Sequence, residues 1–501
     1  MKENTNKILF TNTIILHVRL IITSICGLLT IRFALQALGI VDYGLFSVIG
    51  GIISFISLIN TIMVSTSNRF IAVAIGKNDI AGANKVFNIC FKIHVIIALA
   101  TLIIAYPIGI WYIYNCLNYS GNINNALFVY IVSITASIFS FITVPYHGLL
   151  TAKERFFVFC IPDIIFSVFR LILAIILVSH FNNKLIIYSS FMSLLTLYPC
   201  LYYMYYCRKN FVDIVRWKKV CGREQVKEII SFTSWVAYGA VAYVGKNQGA
   251  ALLVNAFFNT VMNTALGVAN SINSVIGVFS RSITQPIEPQ ITKSFASGDR
   301  KRCDYLLIIS TKFSYLAIMV VASPFLVDCE WILSLWLGLG HVPPFAKVFT
   351  ILIIIDTLIE ALNSGVKSII FASGKIKLFQ ILPSTIKLLG IVGGYFVLKA
   401  GYSSYSLFYI YIVSSIIVVF ANQWILYKTV GYDNKKLFWQ SYFPSILVTA
   451  LFIPIIYIGT SLHPLLRIIL SVIYLIILVY FFALSDSEKE MLKVKIISKF
   501  R

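Results

Sequence analysis

The chain is poor in charge, and in acid above all. Only 12% of its 501 residues are Asp, Glu, Lys or Arg, and Asp plus Glu number 19 against 41 Lys plus Arg. With 59% hydrophobic residues and a mean hydropathy of +0.88, this excludes an ordinary soluble domain. There is no Walker A sequence, no GxSxG, no HExxH and no CxxC, and the six histidines are dispersed. The common phosphate-loop, nucleophile-elbow and metal-centre chemistries therefore find no support. The nine cysteines lie mostly inside apolar runs and are expected as buried free thiols, without a disulfide framework or metal. Polar connections on one side are scarce too: 38–43, 115–125, 179–184 and 337–344 leave little protein outside a bilayer to hold the catalytic groups of a membrane enzyme.

What remains is apolar helix. Runs of roughly 20 apolar residues predict an all-α polytopic membrane protein of about 14 helices, starting near Ile8, Gly44, Ile93, Ala126, Phe157, Leu185, Ile229, Val261, Phe313, Val348, Leu378, Tyr405, Phe438 and Pro464. The formal charge of +22 is unevenly placed: most Lys and Arg fall in alternate connections, densest between Arg208 and Lys227. By the positive-inside rule this is a topogenic signal that puts both termini in the cytoplasm, and no nucleic-acid partner is expected. A cleavable leader is not expected either, since the first helix is long and carries Arg19.

Within this apolar background one stretch stands out. Asn263, Gly267, Asn270, Ser274, Gly277, Arg281, Gln285 and Glu288 succeed each other at steps of three and four, which places them on one stripe of a helix. A polar stripe on a membrane helix is expected to line water, because polar groups facing lipid are costly. Subtracting 220 from each position gives Tyr43, Ser47, Gly50, Ser54, Ser57, Thr61, Ser65 and Asn68, none of them aliphatic. Ile71 and Ile291, Asp79 and Asp299, and Lys92 and Lys312 continue the register as identical pairs. Two copies of one unit are therefore expected: an N-lobe (1–207, helices one to six), a basic cytoplasmic linker (208–228) and a C-lobe (229–429, helices seven to twelve). Two further helices and a basic tail occupy 430–501.

The expected cavity-lining set is Asn12, Ser47, Ser54, Thr61, Asn247, Gln248, Asn263, Asn270 and Ser274. Charges inside the membrane are functional candidates by default. Arg19 reads either as cavity lining or as a structural pair. Lys246 shares a face with Gly239, Ala242, Gly249 and Ala250, so it reads either as a cavity cation or as a lysine tied to carbonyls where helices pack closely. Asp356, Glu360, Asn363 and Lys367 share one face of the tenth helix, as an ion-pair network or an ion relay, with Arg170 and Lys387 as expected partners. Glu288, between Pro286 and Pro289, marks a gate or a simple helix stop. Arg32 and Arg467 are expected to snorkel, and Asp163 to cap its helix.

Five segments together resemble a known family: Ala37 to Gly44, Lys246 to Gly249, Pro289 to Asp299, Ile332 to Gly338 and Ser373 to Lys377. They are similar to the polysaccharide transporters of the multidrug/oligosaccharidyl-lipid/polysaccharide exporter superfamily, and within it to the O-antigen and capsule flippases of Bacteroides-type bacteria. The resemblance implies two six-helix lobes around a V-shaped cavity, plus two accessory helices, in the bacterial inner membrane. It also implies that undecaprenyl-diphosphate-linked oligosaccharide is carried from the cytoplasmic to the periplasmic leaflet by alternating access. Relatives that flip the peptidoglycan precursor hold its diphosphate with cavity arginines; by position Arg19, Lys246 and Arg281 would take that role here. No arginine lies midway along the second helix, so a full arginine cluster is not expected. A polysaccharide polymerase and glycosyltransferases are the implied partners; a coupling ion, proton or Na⁺, or the membrane potential, is left open. Two rivals also stay open: a cation-coupled multidrug exporter of the same fold and, from a different class, a membrane polysaccharide polymerase or acyltransferase.

Overall fold

A computed structural model describes residues 2–76, 79–153, 155–179, 181–218, 238, 241–242, 244–373, 375–486 and 488–490. Among these residues the structure is helical, with no strand. The chain groups into two compact units, Met1–Gly267 and Val268–Arg501.

The first unit holds α1 (Lys2–Gly76), α2 (Ile80–Asn115), α3 (Ile123–Ala152), α4 (Phe156–Ser179), α5 (Lys184–Asn210), the single turn α6 (Val212–Val215), the helix α7 at 244–257 and the start of α8 (Thr260–Ala296). α1 is interrupted at Gly39, whose φ of 77° and ψ of 172° break the ladder at a position where a side chain would be strained. The helical stretch after this break starts at residue 40, and α8 starts at Thr260, 220 residues later. α2 and α9 (Arg300–Leu337) start with the same offset, at Ile80 and Arg300. Both are capped alike: Asp79 Oδ1 accepts from the Gly82 N–H at 2.7 Å, and Asp299 Oδ1 from the Arg302 N–H at 3.0 Å. The 220-residue register thus reaches helix ends and caps.

Close packing fixes α8 to α1. A Cβ on Gly44 would lie 1.9 Å from the Thr260 carbonyl oxygen, so only glycine admits this approach, and Thr264 Oγ1 donates to the Ile40 carbonyl at 2.5 Å. One apolar core gathers Phe87, Tyr146, Leu149, Phe159 and Tyr203; another gathers Leu45, Ile49, Val129, Tyr130 and Phe141. The start of the basic segment is tied down by α2, where Asn84 Nδ2 donates to the Ile214 and Arg216 carbonyls, both at 2.8 Å. The rest of that segment, 219–228, lies outside the described residues.

The second unit holds the remainder of α8, then α9, α10 (Ala346–Ala361), α11 (Ser364–Ala372), α12 (Ile376–Lys399), α13 (Ser406–Val430), the short α14 (Asn434–Leu437), α15 (Phe443–Phe452) and α16 (Pro464–Leu478). The expected tenth helix is two, α10 and α11, separated at Leu362 and Asn363. Gly365 lets α11 sit against α9, where an added Cβ would be 2.6 Å from the Leu307 carbonyl. α9 is itself broken at Asp328, four residues past Pro324. Arg467 pairs with that aspartate at 3.0 Å rather than snorkelling, because the break presents a carboxylate within reach.

Eleven helices among the described residues are long and apolar enough to cross a membrane, and the protein is a multi-pass membrane protein. The three expected spans outside this count are the part of α1 after Gly39, the seventh helix, partly outside the described residues, and α8, whose polar stripe lowers its hydropathy. Lipid is the fitting neighbour for α2, which exposes Ile96, Leu99, Ile103, Ile104, Ile108 and Trp111. The eight described cysteines are all free and, apart from half-buried Cys116, buried.

Candidate functional site

Polar side chains of three membrane helices converge inside the first unit. α1 contributes Ser57 and Asn60, α3 contributes Ser133, Ser137, Ser140 and His147, and α5 contributes Ser193 and Thr196 to a cavity of about 560 Å³. Phe46, Ile53, Val64 and Met192 complete its apolar parts. On α3 the serines follow at helical spacing, so one face carries them all. Asn60 Nδ2 donates to Ser140 Oγ at 2.6 Å, and Ser140 Oγ donates on to the Ser137 carbonyl at 2.5 Å. Asn60 Oδ1 is buried with no protein partner among the described residues, an acceptor available to a hydroxyl. The described lining contains no Asp, Glu, Lys or Arg.

His147 forms one wall, edge-on to Phe159 (ring centroids 4.8 Å apart) and stacked on Tyr203 (5.8 Å). Behind Phe159 lies the charged centre of the unit. Arg19 Nη1 meets Asp163 Oδ2 at 2.6 Å, and the guanidinium lies 5.9 Å from the Phe159 ring centroid. Asp163 sits inside α4, seven residues beyond its start, so it pairs with Arg19 instead of capping. The pair is partly open, with side-chain exposures of 28% and 43%.

Comparison with solved structures places this architecture. The chain shares the fold of known membrane transporters. A lipid II flippase, MurJ, in an inward closed conformation superposes with a TM-score of 0.70 at 15% identity, covering 94% of this chain and 98% of that one. An inward-facing multidrug resistance MATE family transporter of the MOP superfamily gives 0.67 at 12% identity, over 83% of this chain and 98% of that one. The MATE multidrug transporter DinF-BH gives 0.56 at 13%, over 86% and 96%. No protein-family model and no curated protein matches the sequence.

On this MATE- and MurJ-like frame the predicted residues differ in burial and in partners. Of the three cations, Arg19 is held by Asp163, Lys246 is 1% exposed within the first unit, and Arg281 is exposed on α8. Asn263 is fully buried beside the Ala251 carbonyl and the Asn255 N–H, and with its amide turned to match them it donates to the first at 2.8 Å and accepts from the second at 3.2 Å. Ser47, Asn247 and Gln248 are half-buried, and Gln248 Oε1 would lie 3.3 Å from a Cβ on Gly51. Asn270 is half-buried and Ser274 exposed, with Ser274 Oγ donating to the Asn270 carbonyl at 2.9 Å. The side chains of Asn12, Ser54 and Thr61 lie outside the described residues.

In the second unit residues of the charged stripe meet partners on α12 and α13. Lys387 Nζ meets Glu360 Oε1 at 2.8 Å, Ser415 Oγ donates to Asp356 at 2.6 Å, and Asn422 Nδ2 donates to Asn363 Oδ1 at 3.0 Å. Lys367 and Glu288 are exposed, and the Lys367 ammonium lies 5.7 Å from the Phe371 ring centroid. Arg170, the other expected partner, donates from Nε to Tyr188 Oη at 3.4 Å. The polar residues missed from sequence are Asn60, Ser133, Ser137, Ser140, His147, Ser193 and Thr196. For the α3 residues a signal was present, because Ser137, Ser140 and His147 lie 220 positions before Thr357 and before Glu360 and Lys367 of the charged stripe.

Proposed function

We propose that this chain is a flippase that carries a polyprenyl-diphosphate-linked oligosaccharide from the cytoplasmic to the periplasmic leaflet of a bacterial inner membrane, by alternating access, for surface polysaccharide synthesis. The hydroxyls and the Asn60 amide that open onto a largely apolar cavity of the first unit support this reading. Neutral donors and acceptors such as Asn60, Ser137 and Ser193 match sugar hydroxyls, and 560 Å³ is within the range of small-ligand sites. A bare diphosphate cannot enter hydrocarbon, since burying an unpaired ion costs tens of kcal/mol by a Born estimate. In this reading Arg19, Lys246 and Arg281 serve the diphosphate at different stages, with Arg19 freed from Asp163 as the cargo binds. The polyprenyl chain stays in lipid.

In this reading both termini are cytoplasmic, as the distribution of Lys and Arg suggests. The lobes 1–207 and 229–429 are the moving parts, joined by the linker 208–228, and 430–501 adds the last two helices. Glycosyltransferases would supply the cargo and a polymerase would consume it. The fold likeness to a lipid II flippase supports this reading; the equal likeness to multidrug transporters makes drug export the alternative to test against it.

The test is flipping in proteoliposomes, with fluorescent polyprenyl-diphosphate oligosaccharide followed by its accessibility to an outside quencher. Wild-type transport, lost in Arg19→Ala and in Asn60→Ala with unchanged elution profiles, is the expected result. Failure with several glycans together with extrusion of a cationic dye would replace the proposal with the exporter.

A further inference from the structure

A second cavity, of about 410 Å³, opens in the second unit where the start of α9 meets the segment from α14 to α15 and the residues after α16. Its inner end is closed by Lys312 and Glu488, an ion pair at 2.6 Å with side-chain exposures of 4% and 8%. That end is therefore neutral. The mouth is not: it carries Lys301 and Lys436. Lys301 is exposed and has no ion-pair partner among the described residues. Among the described residues Lys436 has a long, half-exposed ion-pair contact with Asp304 at 3.5 Å, a kind of contact that binds weakly.

Between mouth and floor the walls are mixed, with Gln440 and Ser485 beside apolar side chains. Ile308 and Ile309 of α9 face Pro444 and Phe482, and Trp439, 61% exposed, stands at the rim. Exposed Trp, Tyr and Lys at one end of membrane helices are the pattern of a membrane–water interface. A slot with cations at the interface and apolar side chains behind them matches an amphiphile with an anionic head, and a basic pocket between membrane helices is a recognised form of lipid headgroup site.

We propose that this cavity binds the phosphate headgroup of an anionic glycerophospholipid, with Lys301 and Lys436 on the phosphate and one acyl chain along Ile309, Pro444 and Phe482. Each lysine near the surface strengthens such binding about fivefold, and the pair about 25-fold. The site is separate from the cavity of the first unit, and binding here is read without any transport assay.

The experiment is native mass spectrometry of the full chain in detergent, titrated with phosphatidylglycerol, with phosphatidylcholine, and with inorganic phosphate. Retention of phosphatidylglycerol over phosphatidylcholine by about fivefold or more is expected. Lys301→Gln and Lys436→Gln should each weaken it about fivefold, and Lys399→Gln, in the last turn of α12, should not. Both lysines are exposed, so an unchanged elution profile guards against misfolding. Equal retention of the two lipids, or unchanged binding in both variants, would overturn the proposal. Occupancy by inorganic phosphate at the same affinity as the lipid would also overturn it, leaving only a free-anion site.

Discussion

Breaking one side of the Lys312–Glu488 pair should cost far more than removing both sides. The two groups are 2.6 Å apart, at 4% and 8% exposure, and Glu488 Oε2 also accepts the Ser485 N–H at 2.8 Å. Burial has stripped both ions of water, so the survivor of a single substitution is an uncompensated charge, and losses of about 3–5 kcal/mol follow. Replacing the pair by apolar groups of similar size removes the desolvation cost with the attraction, which is near neutral or stabilising. Lys312→Met and Glu488→Leu singly should therefore lower the unfolding midpoint by roughly 6 to 20 °C, at about 2–4 °C per kcal/mol for a unit of this size. The double variant should recover most of that loss. Thermal unfolding in detergent, followed by the fraction of folded protein on size exclusion, reads all four members of the cycle. Midpoints of the single variants within a degree of wild type, or a double variant no better than the worse single one, would refute the reasoning.

Other consequences are as specific. Gly44→Leu should destabilise the first unit by about 1–3 kcal/mol or more, because the Thr260 carbonyl 1.9 Å from an added Cβ is backbone and cannot swing aside; the same thermal measurement checks it, and a wild-type midpoint would show that α8 moves freely. Asp163→Asn should free Arg19 and raise the affinity for a diphosphate-bearing lipid, while Arg19→Ala lowers it, since the carboxylate competes for the guanidinium at 2.6 Å; equal effects of both substitutions in a binding titration would make the pair purely structural. Ser140→Val should remove the acceptor of Asn60 Nδ2 and line the cavity with a methyl group instead. Glycan transport should then fall with stability nearly intact, whereas a large midpoint loss would assign Ser140 to the core. Glu360→Gln should cost about 1–3 kcal/mol by removing the charge from its 2.8 Å contact with Lys387, 15% exposed, and Lys387→Met in the same chain should restore part of it.

Several of these contacts could not be seen in the chain as written. The polar stripe on α8 was legible because helical period alone puts Asn263, Asn270 and Ser274 on one side. Which part of that stripe faces a cavity was not legible, and Asn263, the most polar residue in its first turn, is buried against Ala251 and Asn255. Asp163 looked like a cap because it follows a proline near a helix start; its carboxylate goes to Arg19, 144 residues away. The expected continuous tenth helix is interrupted at Leu362 and Asn363, and just beyond the break Gly365 admits the close approach of α11 to α9, a contact with no trace in the periodicity of 346–372.

The sequence by itself determined the membrane class, the all-helical fold and the 220-residue register, because these follow from local period, length and hydropathy. Asp79 and Asp299, an identical pair in that register, both cap their helices, which is a local contact too. Lys92 and Lys312 mark the limit. They are the same residue at the same place in the register, yet Lys92 is exposed on α2 while Lys312 is buried against Glu488, 176 positions further on. Whether a charge in this protein is solvated or compensated depends on what tertiary packing brings within a few ångströms, and that distance was settled only by the folded chain.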